Sequence, residues 1–350
     1  MKISKIGYFF CSGNKVIYSS TENRKILKKQ DLNDNQFFEV AYPFDYESFE
    51  FIQKKFIILK TRFNSIIFDI DLNRLKTVYF GSGYNNSFFN NFYFVQPSYF
   101  VNGKETRLNI IFDEETRQFT TLPITEDIKF YEFHDEYFIP VTYMNAAQGH
   151  NYGPELSVYN YQGELVWSKD FREPDTYIDS VPVFHDELSV NTNVKICDDY
   201  VMVSTSTNHL FCYDIHTGKQ IWCQNQFEGP FPNPQMVALD YEQKMIYVWM
   251  YMTFHKIDLL TGQIILSKDM WEWQDRFRHG YVSWTVTKEG LWSATQNHGV
   301  VACINKDTLD IDKTYQLESH GTINDSATPH VTDEFIVIPD GLGNLEVIKR

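Results

Sequence analysis

A ten-residue phrase, Tyr213-Asp214-Ile215-His216-Thr217-Gly218-Lys219-Gln220-Ile221-Trp222, returns in altered form along the chain. Residues 256–265 are a near-copy, with Asp258, Thr261 and Gly262 in register, and residues 158–167 are another, with Gly163 and Trp167. Taking Gly218 as the anchor, equivalent turns fall at Asn23, Asn73, Arg117, Gly163, Gly262 and Leu309, in steps of 50, 44, 46, 55, 44 and 47 residues. A period of that length means one supersecondary unit used repeatedly, each copy burying its faces against the next.

Short apolar runs flank every anchor. Upstream lie 15–18, 65–69, 109–113, 156–160, 209–214, 254–258 and 300–305; downstream lie 25–27, 75–80, 118–122, 164–167, 219–222, 263–266 and 312–317. A further run often precedes them, as at 200–204 and 244–250. Four short strands per unit, with turn residues between and little helical periodicity, describe a propeller blade. The expected fold is all-β: one closed propeller of four-stranded antiparallel blades over residues 1–350. Eight blades are preferred and seven is the alternative. Residues 334–339 and 344–349 form a last hairpin with no fourth strand after it, and the N-terminal run 2–10 is the expected clasp. Closure by the two termini removes open sheet edges.

The repeat resembles that of the quinoprotein-like, WD40-like propeller superfamily at Asp214, Thr217, Gly218 and Trp222, at Asp258 and Gly262, and at Gly163 and Trp167. The resemblance implies that these residues shape turns and lock neighbouring blades. Residue chemistry agrees: Asp caps a tight turn, Gly tolerates positive φ, and Trp is a large wedge with one donor. Quinone enzymes of that superfamily use adjacent cysteines. Cys11, Cys197, Cys212, Cys223 and Cys303 include no such pair, so no cofactor is expected.

With 31 basic and 46 acidic residues the net charge is −15. A nucleic-acid partner would be repelled, and a basic protein attracted. The densest basic cluster, Arg24, Lys25, Lys28 and Lys29, reads as a solvated strand face. The odd cysteine count without CxxC fits a reducing compartment, the run 6–11 is too short for a signal peptide, and no apolar stretch is long enough to span a bilayer. The expected setting is cytoplasmic, without a membrane, with the protein monomeric on its own.

In a four-stranded blade the anchors share one end. The other end carries the second-to-third loops and the blade-linking loops, where side chains of chemical type collect: His150, His209 and His298 before third strands, His255 near the corresponding place in another blade, and Trp271, Trp273, Arg276, Arg278 and His279 in one linking loop. These nine form the expected binding face. Trp and Arg favour protein interfaces, and the expected function is non-catalytic binding of a basic protein, as a toxin-neutralising bacterial immunity protein would do. The alternative is a metal-assisted lyase or hydrolase, because converging imidazoles bind metals and exchange protons near neutral pH. No HExxH or fixed-spacing carboxylate accompanies them, so neither a catalytic residue nor a metal ligand is assigned.

Overall fold

The computed structural model describes residues 2–3, 6–20, 26–41, 48–52, 56–60, 65–69, 71–78, 87–96, 98–101, 104–124, 128–142, 155–171, 190–205, 209–225, 227, 235–250, 253–270, 284–294, 299–317, 328–340 and 344–350. Among these the strands form eight four-stranded antiparallel sheets and one two-stranded hairpin. Sheet 1 is Ile6–Ser12, Lys15–Ser20, Ile26–Asp31 and Phe37–Ala41. Sheet 2 is Ser48–Ile52, Phe56–Lys60, Ser65–Asp69 and Arg74–Val78. Sheet 3 is Ser87–Phe89, Phe92–Val95, Ile110–Asp113 and Gln118–Thr121; sheet 4 is Ile128–Phe133, Tyr137–Thr142, Glu155–Asn160 and Leu165–Asp170. Sheet 5 is Val190–Cys197, Tyr200–Thr205, Leu210–Asp214 and Gln220–Gln224; sheet 6 is Gln235–Asp240, Met245–Met250, Thr253–Asp258 and Ile264–Asp269. Sheet 7 is Thr285–Val286, Gly290–Ala294, Val300–Asn305 and Ile311–Gln316, and sheet 8 is His330–Val331, Phe335–Pro339 and Leu345–Lys349, with Lys2–Ile3 as its fourth strand.

The central strands are buried on both faces, because alternate side chains go to opposite neighbours. In sheet 5, Val201 and Val203 join the core shared with sheet 4, whereas Met202 joins the core shared with sheet 6. In sheet 8, Ile336 and Ile338 pack towards sheet 7, and Phe335 and Val337 towards sheet 1. Each of the seven hydrophobic clusters found among the described residues straddles two consecutive sheets; one of them joins sheet 8 back to sheet 1 through Ile3, Val16, Leu32 and Val337. Fourth strands see solvent on one side, and Ile264–Asp269 alternates half-buried with exposed positions.

Three expectations change in detail. The clasp is shorter than 2–10: Lys2 pairs with Glu346 and Ile3 with Leu345, and the run from Ile6 starts sheet 1 instead. The first anchor is Asn35 (φ 58°), not Asn23, which lies outside the described residues. The reason is a shift of one strand: Lys15–Ser20 is the second strand of its sheet and Ile26–Asp31 the third. In sheet 2 the left-handed residue is Leu72 (φ 66°), one before Asn73. The sequence reading also passed over a hairpin between the second and third strands of sheet 3, Ser98–Val101 paired with Lys104–Arg107. Its signal is Asn102-Gly103, a favoured two-residue hairpin turn.

Candidate functional site

The first-to-second and third-to-fourth turns share one end of a sheet, as Ile215 N to Asp199 O (2.8 Å) and Leu259 N to Lys244 O (2.9 Å) attest. Here the repeated phrase does its structural work. Asp214 Oδ1 accepts from Thr217 N (2.8 Å) and Thr217 Oγ1 (2.7 Å), and Asp258 does the same for Thr261 (2.8 and 2.9 Å). The Thr217 hydroxyl holds the Asp214 carboxyl below its ordinary pKa, against a smaller opposing effect of burial. Gly218 (φ 66°) and Gly262 (φ 71°) follow, in a conformation that suits glycine.

Both glycines also admit an indole from the preceding sheet. A Cβ on Gly218 would lie 2.7 Å from Trp167, and one on Gly262 would lie 2.5 Å from Trp222. Trp167 Nε1 donates to Ile215 O (2.6 Å) and Trp222 Nε1 to Leu259 O (2.7 Å). Gly163 likewise faces Thr120 and Leu122 of sheet 3. Gly163, Trp167, Gly218, Trp222 and Gly262 therefore fasten neighbouring sheets, while Asp214, Thr217 and Asp258 shape the turns that present them.

At the opposite end, the structure describes two of the nine expected binding residues, and they do not converge. His209 immediately precedes its strand, is buried, and stacks on Phe211 in the seam between sheets 4 and 5. His255 lies inside the third strand, Thr253–Asp258, instead of in the loop before it. It faces the next seam, with Nδ1 2.8 Å from Ser267 Oγ and its ring edge against Phe227. Burial pushes its pKa down to about 4, so the ring is neutral at ordinary pH, and Nε2 has no hydrogen-bond partner among the described residues. His150, Trp271, Trp273, Arg276, Arg278, His279 and His298 lie outside the described residues.

Several titratable side chains meet at the turn end of the seam between sheets 4 and 5. His216 Nε2 is 3.1 Å from Asp199 Oδ1, and His216 Nδ1 is 3.2 Å from the Tyr137 hydroxyl. His134 Nε2 approaches the same Asp199 oxygen at 3.6 Å, while its Nδ1 accepts from Glu136 N (3.2 Å), which puts the His134 proton on Nε2. Burial first, then the carboxylates of Glu136, Asp214 and Asp199, raises the Tyr137 pKa, so its phenol stays a donor. The row Tyr137–His216–Asp199 has the form of a proton relay, with a protonated phenol at its head. His134 and His216 stand 82 residues apart in different repeats, so spacing alone gave no sign of them. No group of three or more His, Cys, Asp or Glu among the described residues is arranged to hold a metal ion.

At the same end of the next two seams, lysines meet partners on the neighbouring sheet. Lys306 Nζ meets Asp240 at 2.8 Å with both side chains buried, Lys256 Nζ donates to Lys306 O (2.9 Å), and Lys244 Nζ bridges to Asp198 (2.5 Å). Burial alone would raise Asp240, but Lys306 and the N–H groups of Gln243 and Glu242 hold its carboxyl below the ordinary value. On sheet 1, Lys28 pairs with Glu39 and Lys29 with Asp71, each over an exposed phenylalanine, Phe37 and Phe38. The described half of the basic cluster is thus a paired strand face.

No protein-family model matches the sequence, and no curated protein matches it. Solved structures do match. BamB from Moraxella catarrhalis is 11% identical with a TM-score of 0.59, over 100% of this chain and 98% of its own. Sqt1 of Saccharomyces cerevisiae is 8% identical with a TM-score of 0.61, over 99% of both chains. The C-terminal WD40 domain of Sif2 is 9% identical with a TM-score of 0.62, over 100% of this chain and 97% of its own. At such identities the likeness speaks to architecture alone, and the architecture it shows is the β-propeller of the WD40 and BamB kind.

Proposed function

We propose that this chain is a non-catalytic protein-binding propeller whose partner is a basic protein. We read it as one domain, a closed ring of eight blades with quinoprotein-like repeats; among the described residues, hydrophobic clusters join sheet 1 to sheet 2, each consecutive pair from sheet 3 to sheet 8, and sheet 8 to sheet 1, which supports that reading. The observation that carries the functional reading is how the chemically capable side chains are spent. Asp214, Trp222, His209, His216 and His255 are engaged in turns, seams and core, while the net charge of −15 attracts a cationic surface. Aromatic and arginine residues at Trp271, Trp273, Arg276 and Arg278 are the types that anchor protein interfaces, and we assign the grip to that loop-rich end. WD40-like relatives in fold make protein scaffolding the natural use of such a ring. The test is affinity capture from the native lysate, with the retained protein identified and its stoichiometry measured. A stoichiometric basic partner, released as salt rises, is expected. Failure to retain any stoichiometric protein at low and moderate salt would overturn the reading.

A further inference from the structure

Phe227 lies in the link between blade 5 and blade 6, beyond Gln224 and before Gln235. It is 5% exposed and belongs to the core shared by the two blades, with Cys212 of blade 5 and Val248 of blade 6. Its ring meets the His255 imidazole with 5.3 Å between centres and 64° between planes. His255 is 4% exposed and comes from the third strand of blade 6. The link is thus pinned into the seam by an aromatic ring resting on a histidine.

A neutral imidazole fits that place and a charged one does not. Nδ1 lies 2.8 Å from Ser267 Oγ, and with Nδ1 as the donor this bond is the same in both states. Nε2 is buried without a hydrogen-bond partner among the described residues. A neutral ring can leave a lone pair there, whereas an imidazolium must bury a charged N–H with no acceptor. No countercharge reaches the ring. The titratable groups of this core are the thiols of Cys197 and Cys212 and the Tyr200 phenol; burial pushes both thiols up, Cys212 to about 12, and none of the three is a carboxylate. Asp269 shares that face of the sheet two residues beyond Ser267, but it stands in water, and burial alone sets the pKa of the ring. The strand neighbours Lys256 and Lys268 turn to Lys306 O and Asp310 of blade 7. His209 stacks on Phe211, in the seam on the other side of blade 5.

We infer that His255 is a proton-operated catch: adding a proton to the ring unseats Phe227 and frees the link between blades 5 and 6 at the loop-rich end. The seated state keeps the ring neutral, with a pKa of about 4 against 6.5 for a hydrated imidazole. The unseated state therefore takes up the proton first. Seating is favoured in full above pH 6.5 and loses ground as pH falls from there through about 4. Within that window the ratio of unseated to seated forms rises about tenfold for each pH unit. Where the loop-rich end grips a partner, acid loosens the grip; the catch itself does not rest on that reading.

The experiment labels the full-length protein with fluorophenylalanine and follows Phe227 by fluorine saturation-transfer NMR, from neutral pH down to about 4. Phe227→Leu identifies the signal by its loss. A minor form with the shift of a hydrated ring is expected, growing about tenfold per pH unit, while the far-ultraviolet circular dichroism of the sheets stays constant. In His255→Gln, whose side chain does not titrate, the minor form should not change with pH; His255→Leu serves if that variant does not fold. A minor form that is absent throughout the titration, that grows equally in the His255 variant, or that appears only together with loss of the sheet signal would overturn the catch. Capture of a natural partner at neutral pH tests the protein-binding reading separately, so either can fail alone.

Discussion

The seam between sheets 5 and 6 and the seam between sheets 6 and 7 solve one packing problem in two ways. In the first, Trp222 lies flat on Gly262 and donates to Leu259 O. In the second, Leu266 holds the wedge position and the facing turn residue is Leu309, also left-handed (φ 58°). A residue with a Cβ at that turn leaves no flat platform, so an indole cannot lie there and a smaller wedge is used. The second seam adds a buried Lys306–Asp240 pair that the first lacks among the described residues. In these two seams wedge and turn residue change together, and the one without the Trp–Gly fit carries the buried ion pair.

The largest test breaks the first seam. Trp222→Ala removes a buried indole and its hydrogen bond and should cost about 3 to 5 kcal/mol in denaturant unfolding. Leu266→Ala, half-buried, should cost about 1 to 2 kcal/mol. Equal losses would mean that the indole carries no special share of its seam. Next, Lys306→Met leaves the Asp240 carboxylate buried without its ammonium, at about 3 kcal/mol. Asp240→Asn on top of it keeps an oxygen for the Glu242 and Gln243 N–H groups and should recover most of that loss. If the double variant is no better than the single one, the pair is not what ties sheet 6 to sheet 7.

How far each seam was legible follows from the same contrast. Asp214, Gly218 and Trp222 announce a turn and a wedge by residue type, so the repeat and the role of its motif could be read from the chain. Sheet 1 could not, because Asn35 sits in a turn with neither Gly nor Trp, and the eye was drawn one strand too early to Asn23. The hairpin Ser98–Val101 with Lys104–Arg107 carries its Asn-Gly signal openly but interrupts the period, and a search tuned to the period passes over it. His134, Asp199 and His216 meet only because the 1–2 turns and the 3–4 turn of adjacent sheets come together, a tertiary fact. His255 looked like a loop residue since the repeat aligns turns better than strand starts.

His255 also sharpens the comparison by acid. Its pKa in the folded protein is about 4, below the ordinary 6.5, with burial as the cause. The unfolded chain therefore takes up the proton first. Stability from this group is complete above pH 6.5 and is lost as pH falls from there through about 4, by about 3 kcal/mol in all. His255→Gln should unfold with a flatter profile across that window, measured by denaturant midpoints at stepped pH. An unchanged slope would show that the ring is protonated at no cost and that the seam between sheets 5 and 6 is open to water at His255.

The smallest expected effect concerns the seam between sheets 8 and 1, where neither a Trp–Gly fit nor a turn-end ion pair of the Lys306 type is used. The strand Lys2–Ile3 supplies two cross-strand pairs, Ile3 enters the shared core, and Lys2 Nζ meets Asp340 at 3.0 Å. Asp340 is fully buried, but Asn344 N (2.9 Å) and Asn344 Nδ2 (2.7 Å) also donate to it, and Lys2 is more than a third exposed. Solvent screening on the lysine side and the two remaining donors on the aspartate side hold the cost of Lys2→Ala to about 1 kcal/mol. Ile3→Ala should cost more than Lys2→Ala, because this seam is held chiefly by apolar burial and the ion pair sets the strand's register. Raising salt should narrow the gap between wild type and Lys2→Ala while leaving Ile3→Ala where it was. A Lys2→Ala loss as large as that of Trp222→Ala would reverse that order and make the ion pair the main fastening of the Lys2–Ile3 strand to the rest of sheet 8.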